Sequence, residues 1–389
     1  PRSTLFPYTT LFRSLSPGLD FAFGMVDNSY IDKAFNRDWL LVNENVATPA
    51  NTNNSEDLQI RMTLEPIRNF KIDLTATRTQ TKAKSIQYMY EGMPTTQTGS
   101  FTMTTISIGS ALEGMGSARS GYPSASFTKF CESLDGIRDR VEAQYAGAIY
   151  PAGTSMAGQS FSPENGSVDK YSADVMIPAF LQTYTMSGGK SLGFFPALSR
   201  LLPNWQIRYS GLAQLAWFRD HFKSFNINHG YKSIYAVGAY STFSTFQEYM
   251  NGLGFVQSAS TGNPMPSTVY NISSVSINEA FSPLLGVDMT FNNNLTAKLE
   301  YRTTRVLTLS MTSIEIAEAL SRDWVVGFAY RINNFRLFNW NSHRQVKTRK
   351  TSGEETQQTA ARPAGSKGNI NHDLNLRLDF SLRRQASIV

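Results

Sequence analysis

NWQIRYSGLAQLAWFRDHFKSFNINHGYKSIYAVGAYST, residues 204–242, decides how the chain reads. Trp205, Ile207 and Tyr209 alternate with Gln206, Arg208 and Ser210. A short turn-and-helix segment then passes through Trp217 and Phe218. Alternation resumes with Phe225, Ile227, His229 and Tyr231 against Asn226, Asn228, Gly230 and Lys232. A period of two over this length predicts β-strands. One face carries large aromatics and the other amides, Lys and Arg, a pairing of faces that a soluble core avoids.

The composition fits a wall with one apolar and one polar side. Of 389 residues 41% are hydrophobic, 12% aromatic and only 17% charged, with 25 Phe and 17 Tyr. Such a balance suits strands that alternate apolar-out and polar-in between aromatic girdles. Mean hydropathy is −0.28, and no apolar run reaches the ~18 residues of a membrane helix. A barrel escapes that test, because half of each strand faces water. The net charge of +6 has no dense basic block behind it, so nucleic-acid binding is not expected. The single Cys131 excludes a disulfide framework within the chain.

Outward from the anchor stretch, the same alternation recurs. Leu58, Ile60, Met62 and Leu64 oppose Asp57, Gln59, Arg61, Thr63 and Glu65. A turn at Pro66–Asn69 leads back through Phe70, Ile72, Leu74 and Ala76, which predicts a hairpin with one apolar face. Thr79–Glu91 extends the polar strands, and Phe101–Gly109 is strand-like with a shift of phase. Downstream, Val269–Ile277 and Leu285–Phe291 are predicted strands joined at Pro283, and Asn292–Asn294 a turn. Leu295, Ala297, Leu299 and Tyr301 alternate with Thr296, Lys298, Glu300 and Arg302. Trp324, Val326, Phe328 and Tyr330 follow, and finally Leu374, Leu376, Leu378, Phe380 and Leu382 oppose Asn375, Arg377, Asp379, Ser381 and Arg383. Roughly fourteen strands of about nine or ten residues match the length that crosses a bilayer.

Five segments break the pattern. Residues 1–14 fit nothing downstream and resemble translated sequencing-adapter DNA; they are set aside, and the chain is read as a fragment. Asp27–Ser55 and Phe246–Ser267 read as loops. Residues 114–203 read as a partly helical insert or cap between strand regions at 15–113 and 204–389. A helix is predicted at Phe127–Ala146, with Ser126 as N-cap and Gly136 in its middle, and another at Ala173–Tyr184, interrupted at Pro178. Arg344–Asn371 is charged, rich in Gln and Thr, and reads as a flexible loop.

Chemistry is not signalled. Ser187-Gly188-Gly189-Lys190-Ser191 resembles the end of a phosphate-binding loop, but Tyr184 stands where that motif needs its first Gly. His221, His229, His343 and His372 lack metal-ligand spacing, and Glu354-Glu355 falls in the predicted loop. No catalytic residue, metal ligand or cofactor is expected.

Four elements carry a family resemblance: FFPALSRLLPNWQIRYSGL (194–212), FKSFNINHGYKSIYAVGAYST (222–242), VSINEAFSPLLGVDMTF (275–291) and LTAKLEYRTTRVLTLSM (295–311). In this order they resemble the SprA (Sov) family, the outer-membrane translocon of the type IX secretion system of Bacteroidota, linked also to gliding motility. The resemblance implies an all-β fold, an antiparallel transmembrane β-barrel segment that cannot close alone. It also implies passage of folded cargo bearing C-terminal type IX signal domains. The implied partners are a smaller outer-membrane barrel, a periplasmic plug, inner-membrane motor components and membrane lipid. Two other readings stay open from the residues: a nutrient-uptake barrel, which needs a plug domain and an energy-coupling box, and a secreted β-rich adhesin.

Overall fold

The computed structural model describes residue 23 and residues 30–37, 49–86, 95–111, 113, 124–162, 164, 166–250, 252–258, 261–332 and 374–389. After a short helix α1 (Tyr30–Asn36), these residues build a large antiparallel sheet. Its spatial order is β1 (Ala50–Ile67), β2 (Phe70–Ile86), β3 (Thr96–Thr104), β5 (Phe222–Thr242), β10 (Ser274–Phe291), β11 (Leu295–Ser310), β12 (Glu315–Ile332) and β13 (Leu374–Ile388). Strand β4 (Asn204–Tyr209) lies between β2 and β5, and β9 (Tyr270–Ile272) pairs with β5. Asn69 and Asn294 turn the β1–β2 and β10–β11 hairpins with φ of 64° and 66°, a left-handed conformation that Asn tolerates better than most residues.

Strands β3 and β4 share one lane. Thr96–Met103 pair with Ser85–Arg78 of β2, and Asn204–Tyr209 pair with Thr75–Phe70 of the same strand; both pieces also pair with β5. The chain leaves the lane after Thr104, makes an excursion over residues 105–203, and re-enters in the same direction. At the splice Thr105 N–H donates to Ser233 O (3.1 Å), and Ser233 N–H donates to Asn204 Oδ1 (2.8 Å). The ladder groups of Ser233 are thus satisfied by the two ends of the break, as buried backbone requires.

The excursion holds α2 (Ile108–Ala111), α3 (Ala125–Gln144) and α4 (Ala173–Tyr184). Phe130, Leu134, Ile137 and Val141 of α3 bury a stripe at helical spacing. With them packs a three-stranded meander, β6 (Gln247–Met250), β7 (Leu253–Gln257) and β8 (Pro264–Thr268), whose Phe255 ring meets Tyr145 and Tyr150 at 5.7 and 4.9 Å. This assembly shares one core with the sheet residues Phe101, Met103, Tyr235, Val237, Val275, Ile277, Leu307 and Leu309.

Several expectations are corrected. The principal strands run 15–21 residues, not nine or ten; at about 3.3 Å per residue an 18-residue strand reaches far beyond a hydrocarbon layer of about 30 Å. Strand β1 begins at Ala50, inside the predicted loop, because its Asn and Ser residues pair with the polar end of β2. Phe101–Gly109 is not one strand; it stops at Thr104, and Ile108 opens a helical turn. The predicted loop at 246–267 is the β6–β8 meander, held by burial of Phe255 and Val256. Val269–Ile277 divides between β9 and β10, and β10 continues through Pro283 to Phe291 with a bulge between Phe281 and Leu285.

Helix details differ as well. The N-cap of α3 is Ser124, whose Oγ accepts from Phe127 N–H (3.1 Å), while Ser126 binds Glu113. Helix α4 runs through Pro178. An interior proline costs about 3 kcal/mol, and burial of Val175, Met176, Ile177, Phe180 and Leu181 offsets it at about 1.5–3 kcal/mol per large side chain. Residues 1–14, the 344–371 loop with Glu354-Glu355, His343 and His372 lie outside the described residues.

Asp174 of α4 links that helix to the meander. Thr268 Oγ1–H and N–H donate to its two carboxyl oxygens at 2.7 and 3.2 Å, yet burial raises its pKa above the usual 3.8. The folded state therefore holds the proton more tightly than the unfolded chain. That contribution to stability is complete below about pH 3.8 and is lost as pH rises through the folded value. Asp174→Asn is expected to flatten the pH dependence of thermal unfolding, followed by circular dichroism, over this window. A variant retaining the wild-type slope would contradict the assignment.

Candidate functional site

Residues directly opposite in an antiparallel pair project to the same side, so the register defines both faces across the sheet. One face carries Ile60, Met62 and Leu64 of β1, Ile72 and Leu74 of β2, Trp205 and Ile207 of β4, and Ile227 and Tyr231 of β5. It continues through Leu285 and Val287, Leu299 and Tyr301, Trp324 and Phe328, to Leu376, Leu378, Phe380 and Leu382. The excursion and the meander cover only the half of this face that lies beyond the splice. The other half is open: Leu285, Trp324, Phe328, Leu376 and Phe380 are exposed, and Leu378 is 67% exposed. The result is an apolar band crossing successive strands.

The opposite face is polar at the same level, and its charges pair. Lys298 Nζ lies 2.7 Å from Glu300 Oε1, and Arg302 binds the other oxygen of the same carboxylate. Arg377 Nε meets Asp379 Oδ2 at 2.6 Å, and Arg383 reaches both oxygens of Asp323 at 3.0 Å. Asn228 Nδ2–H donates to Asp288 (2.6 Å), and Thr63 Oγ1–H to Asp73 (2.6 Å). Gly327 stands opposite Asp379, where a Cβ would approach its Oδ1 to 2.9 Å. The polar alternates Lys298, Glu300, Arg302, Asn375, Arg377, Asp379 and Arg383 thus lie on one surface with both signs interleaved. A cavity of about 450 Å³ opens on this side at the splice, lined by Asp73, Thr75, Gln206 and Lys232 among others.

Under the excursion the apolar side contains a buried polar cluster. Glu279 Oε1 accepts from Tyr231 OH (2.6 Å) and Ser107 Oγ (2.8 Å), while its Oε2 faces Arg305 Nη1 at 3.8 Å. Arg305 also donates to Glu318 Oε1 (2.7 Å) and to Ser110 Oγ (2.7 Å). Ser107 and Ser110 belong to the start of the excursion, so the cluster joins it to β5, β10, β11 and β12. The nearby Glu113 carboxyl is also held in charged form: burial alone would raise its pKa, but donation from Ser126 and Ser124 brings it below the usual carboxylate range. Arg305 and Glu279 occupy the apolar face by parity, so alternation alone could have flagged two charges inside a run such as Ile277, Phe281, Leu307 and Leu309.

The remaining singled-out residues are structural. His229 Nδ1 donates to Leu284 O (2.6 Å), tying β5 to the β10 bulge, and His221 bonds Trp217 O (2.8 Å). In Ser187–Ser191, Gly188 N–H donates to Thr185 Oγ1 and Ser191 N–H to Gly188 O. Among the described residues no cluster of His, Cys, Asp and Glu could hold a metal.

No known family model and no curated protein matches the chain. The two faces of the sheet differ in kind, one apolar and in part uncovered, the other polar with paired charges.

Proposed function

We propose that this chain is a wall segment of an outer-membrane β-barrel that conducts folded proteins, as its resemblance to the type IX translocon implies. The carrying observation is the uncovered apolar band on one face, backed by a charged, hydrated face at the same level. A soluble sheet would bury such a band under a second layer, and exposed apolar patches beyond a few hundred Å² mark contact with an apolar partner. The long strands divide accordingly into a membrane portion and a portion sheathed by the excursion. The paired charges of the polar face suit a lumen, since an apolar or one-signed wall would retain passing cargo. In this reading cargo with a type IX signal domain, a smaller barrel, a plug and an inner-membrane motor are the partners.

The test uses single cysteines at Asp379 and Leu378 in the full-length protein in cells, with Cys131→Ser as background. Asp379 is preferred to Glu300, which Lys298 and Arg302 cover. A membrane-impermeant thiol reagent is expected to label position 379, less so when cargo is jammed, and to leave position 378 unlabelled. Equal labelling at both positions, indifferent to cargo, would refute the conduit.

A further inference from the structure

We infer that a cationic cluster at Arg140, Lys190 and Arg200 binds the phosphate groups of anionic lipid headgroups. This rests on the wall reading and goes beyond it. The three residues come from different parts of the excursion, and both guanidiniums meet the backbone at residues 189–190, which also bears Lys190. The Arg140 guanidinium donates to Lys190 O, and the Arg200 guanidinium packs over Gly189, where any Cβ would overlap it. Gly189 also takes a φ of +51°, so a larger residue is disfavoured there for two reasons. Among the described residues none of the three cations is paired with a carboxylate.

Position supplies the second observation. The segment bearing Lys190 and Arg200 is fixed at the splice: Met186 N–H donates to Ile106 O (2.9 Å), Thr105 Oγ1–H to Ser187 Oγ (2.8 Å), and Tyr235 OH to Phe194 O (3.0 Å). It therefore sits on the apolar side of the sheet, at the level where the covered half gives way to the open band. Met186 and Leu198, 69% and 54% exposed, flank the cations. Apolar side chains beside unpaired cations, directly at the rim of an apolar band, match the headgroup layer, where each Lys or Arg adds about 1 kcal/mol of attraction to an anionic surface.

The experiment titrates the full-length protein, extracted as the closed barrel in neutral detergent, with phosphatidylglycerol, phosphatidylcholine or inorganic phosphate. Bound lipid is counted by native mass spectrometry. Phosphatidylglycerol is expected to bind in preference to phosphatidylcholine, and Lys190→Gln or Arg200→Gln to weaken it about fivefold each. Lys190→Arg should restore it. Equal retention of both lipids, or no response to the substitutions, would overturn the inference. So would displacement by millimolar inorganic phosphate, which would mark a free-phosphate site. The same preparations are floated with phosphatidylcholine bilayers after alkaline extraction. Failure to integrate sinks the wall reading separately, whereas integration without headgroup preference sinks only the lipid site.

Discussion

Arg305→Ala is expected to destabilise the protein by about 3–5 kcal/mol, the range for removing one partner from a buried ion pair. Arg305 is 5% and Glu279 4% exposed, so the substitution leaves the buried Glu279 carboxylate and the half-buried Glu318 without the cation they share. Ser110 and Glu318 lose their donors as well. The loss should be concentrated where the excursion meets the sheet, so limited proteolysis within residues 124–186 should accelerate more than cleavage in the β10–β11 hairpin. A second variant separates charge from packing: Arg305→Met combined with Glu279→Gln and Glu318→Gln keeps volume and removes the charges. It should recover most of the stability, because apolar replacement of a whole buried pair is often neutral. Denaturant unfolding of the full chain measures both. A loss below about 1 kcal/mol for Arg305→Ala would mean that the cluster is solvated and does not hold the excursion.

Leu378→Arg should cost about 2–4 kcal/mol in the membrane-inserted protein if Leu378 lies near the midplane. Its neighbour supplies the control. Asp379→Asn removes an exposed pair with Arg377, a type of interaction worth about 0–1 kcal/mol. The contrast between adjacent residues is the reading that matters, because both share the same backbone and the same edge strand. Comparable costs at 378 and 379, measured by unfolding from bilayers, would remove the distinction between the faces.

The sheet was legible because alternation is a local signal. Leu58–Leu64, Phe70–Ala76, Leu295–Tyr301 and Leu374–Leu382 each give their facing without knowledge of their neighbours, and the register agrees with all of them. Strand length was legible only in part. Ala50–Ser55 carries Asn, Ser and Thr on both sides and looks like a loop, yet it pairs throughout with Thr81–Ile86, the end of β2 whose extension past Thr79 the sequence does indicate. The meander was missed for a related reason: β7 is five residues long, too short for periodicity, and its place depends on Tyr145 and Tyr150 far earlier in the chain. The α3 helix was read as a helix, but its cap was misplaced by two residues because Ser124 and Ser126 are equally good cap formers. Only Glu113, which occupies Ser126, decides between them. The Arg305–Glu279 cluster joins residues that sequence spacing does not relate.

The shared lane of β3 and β4 has a consequence for how the molecule forms. Neighbours in that lane are separated by about a hundred residues of chain, and bringing such distant segments together carries a loop-closure entropy that grows only slowly with length. Pairing of β4 with β5 needs only the turn at 210–221, and β3 follows β2 directly, whereas β3 meets β5, and β4 meets β2, only once the excursion has been spanned. Contacts of such long range form late in folding. The wall at this point therefore completes itself only after its own sheath has folded, and a nascent chain stalled before Asn204 would present β2 and β3 as a ribbon with an open notch beside it.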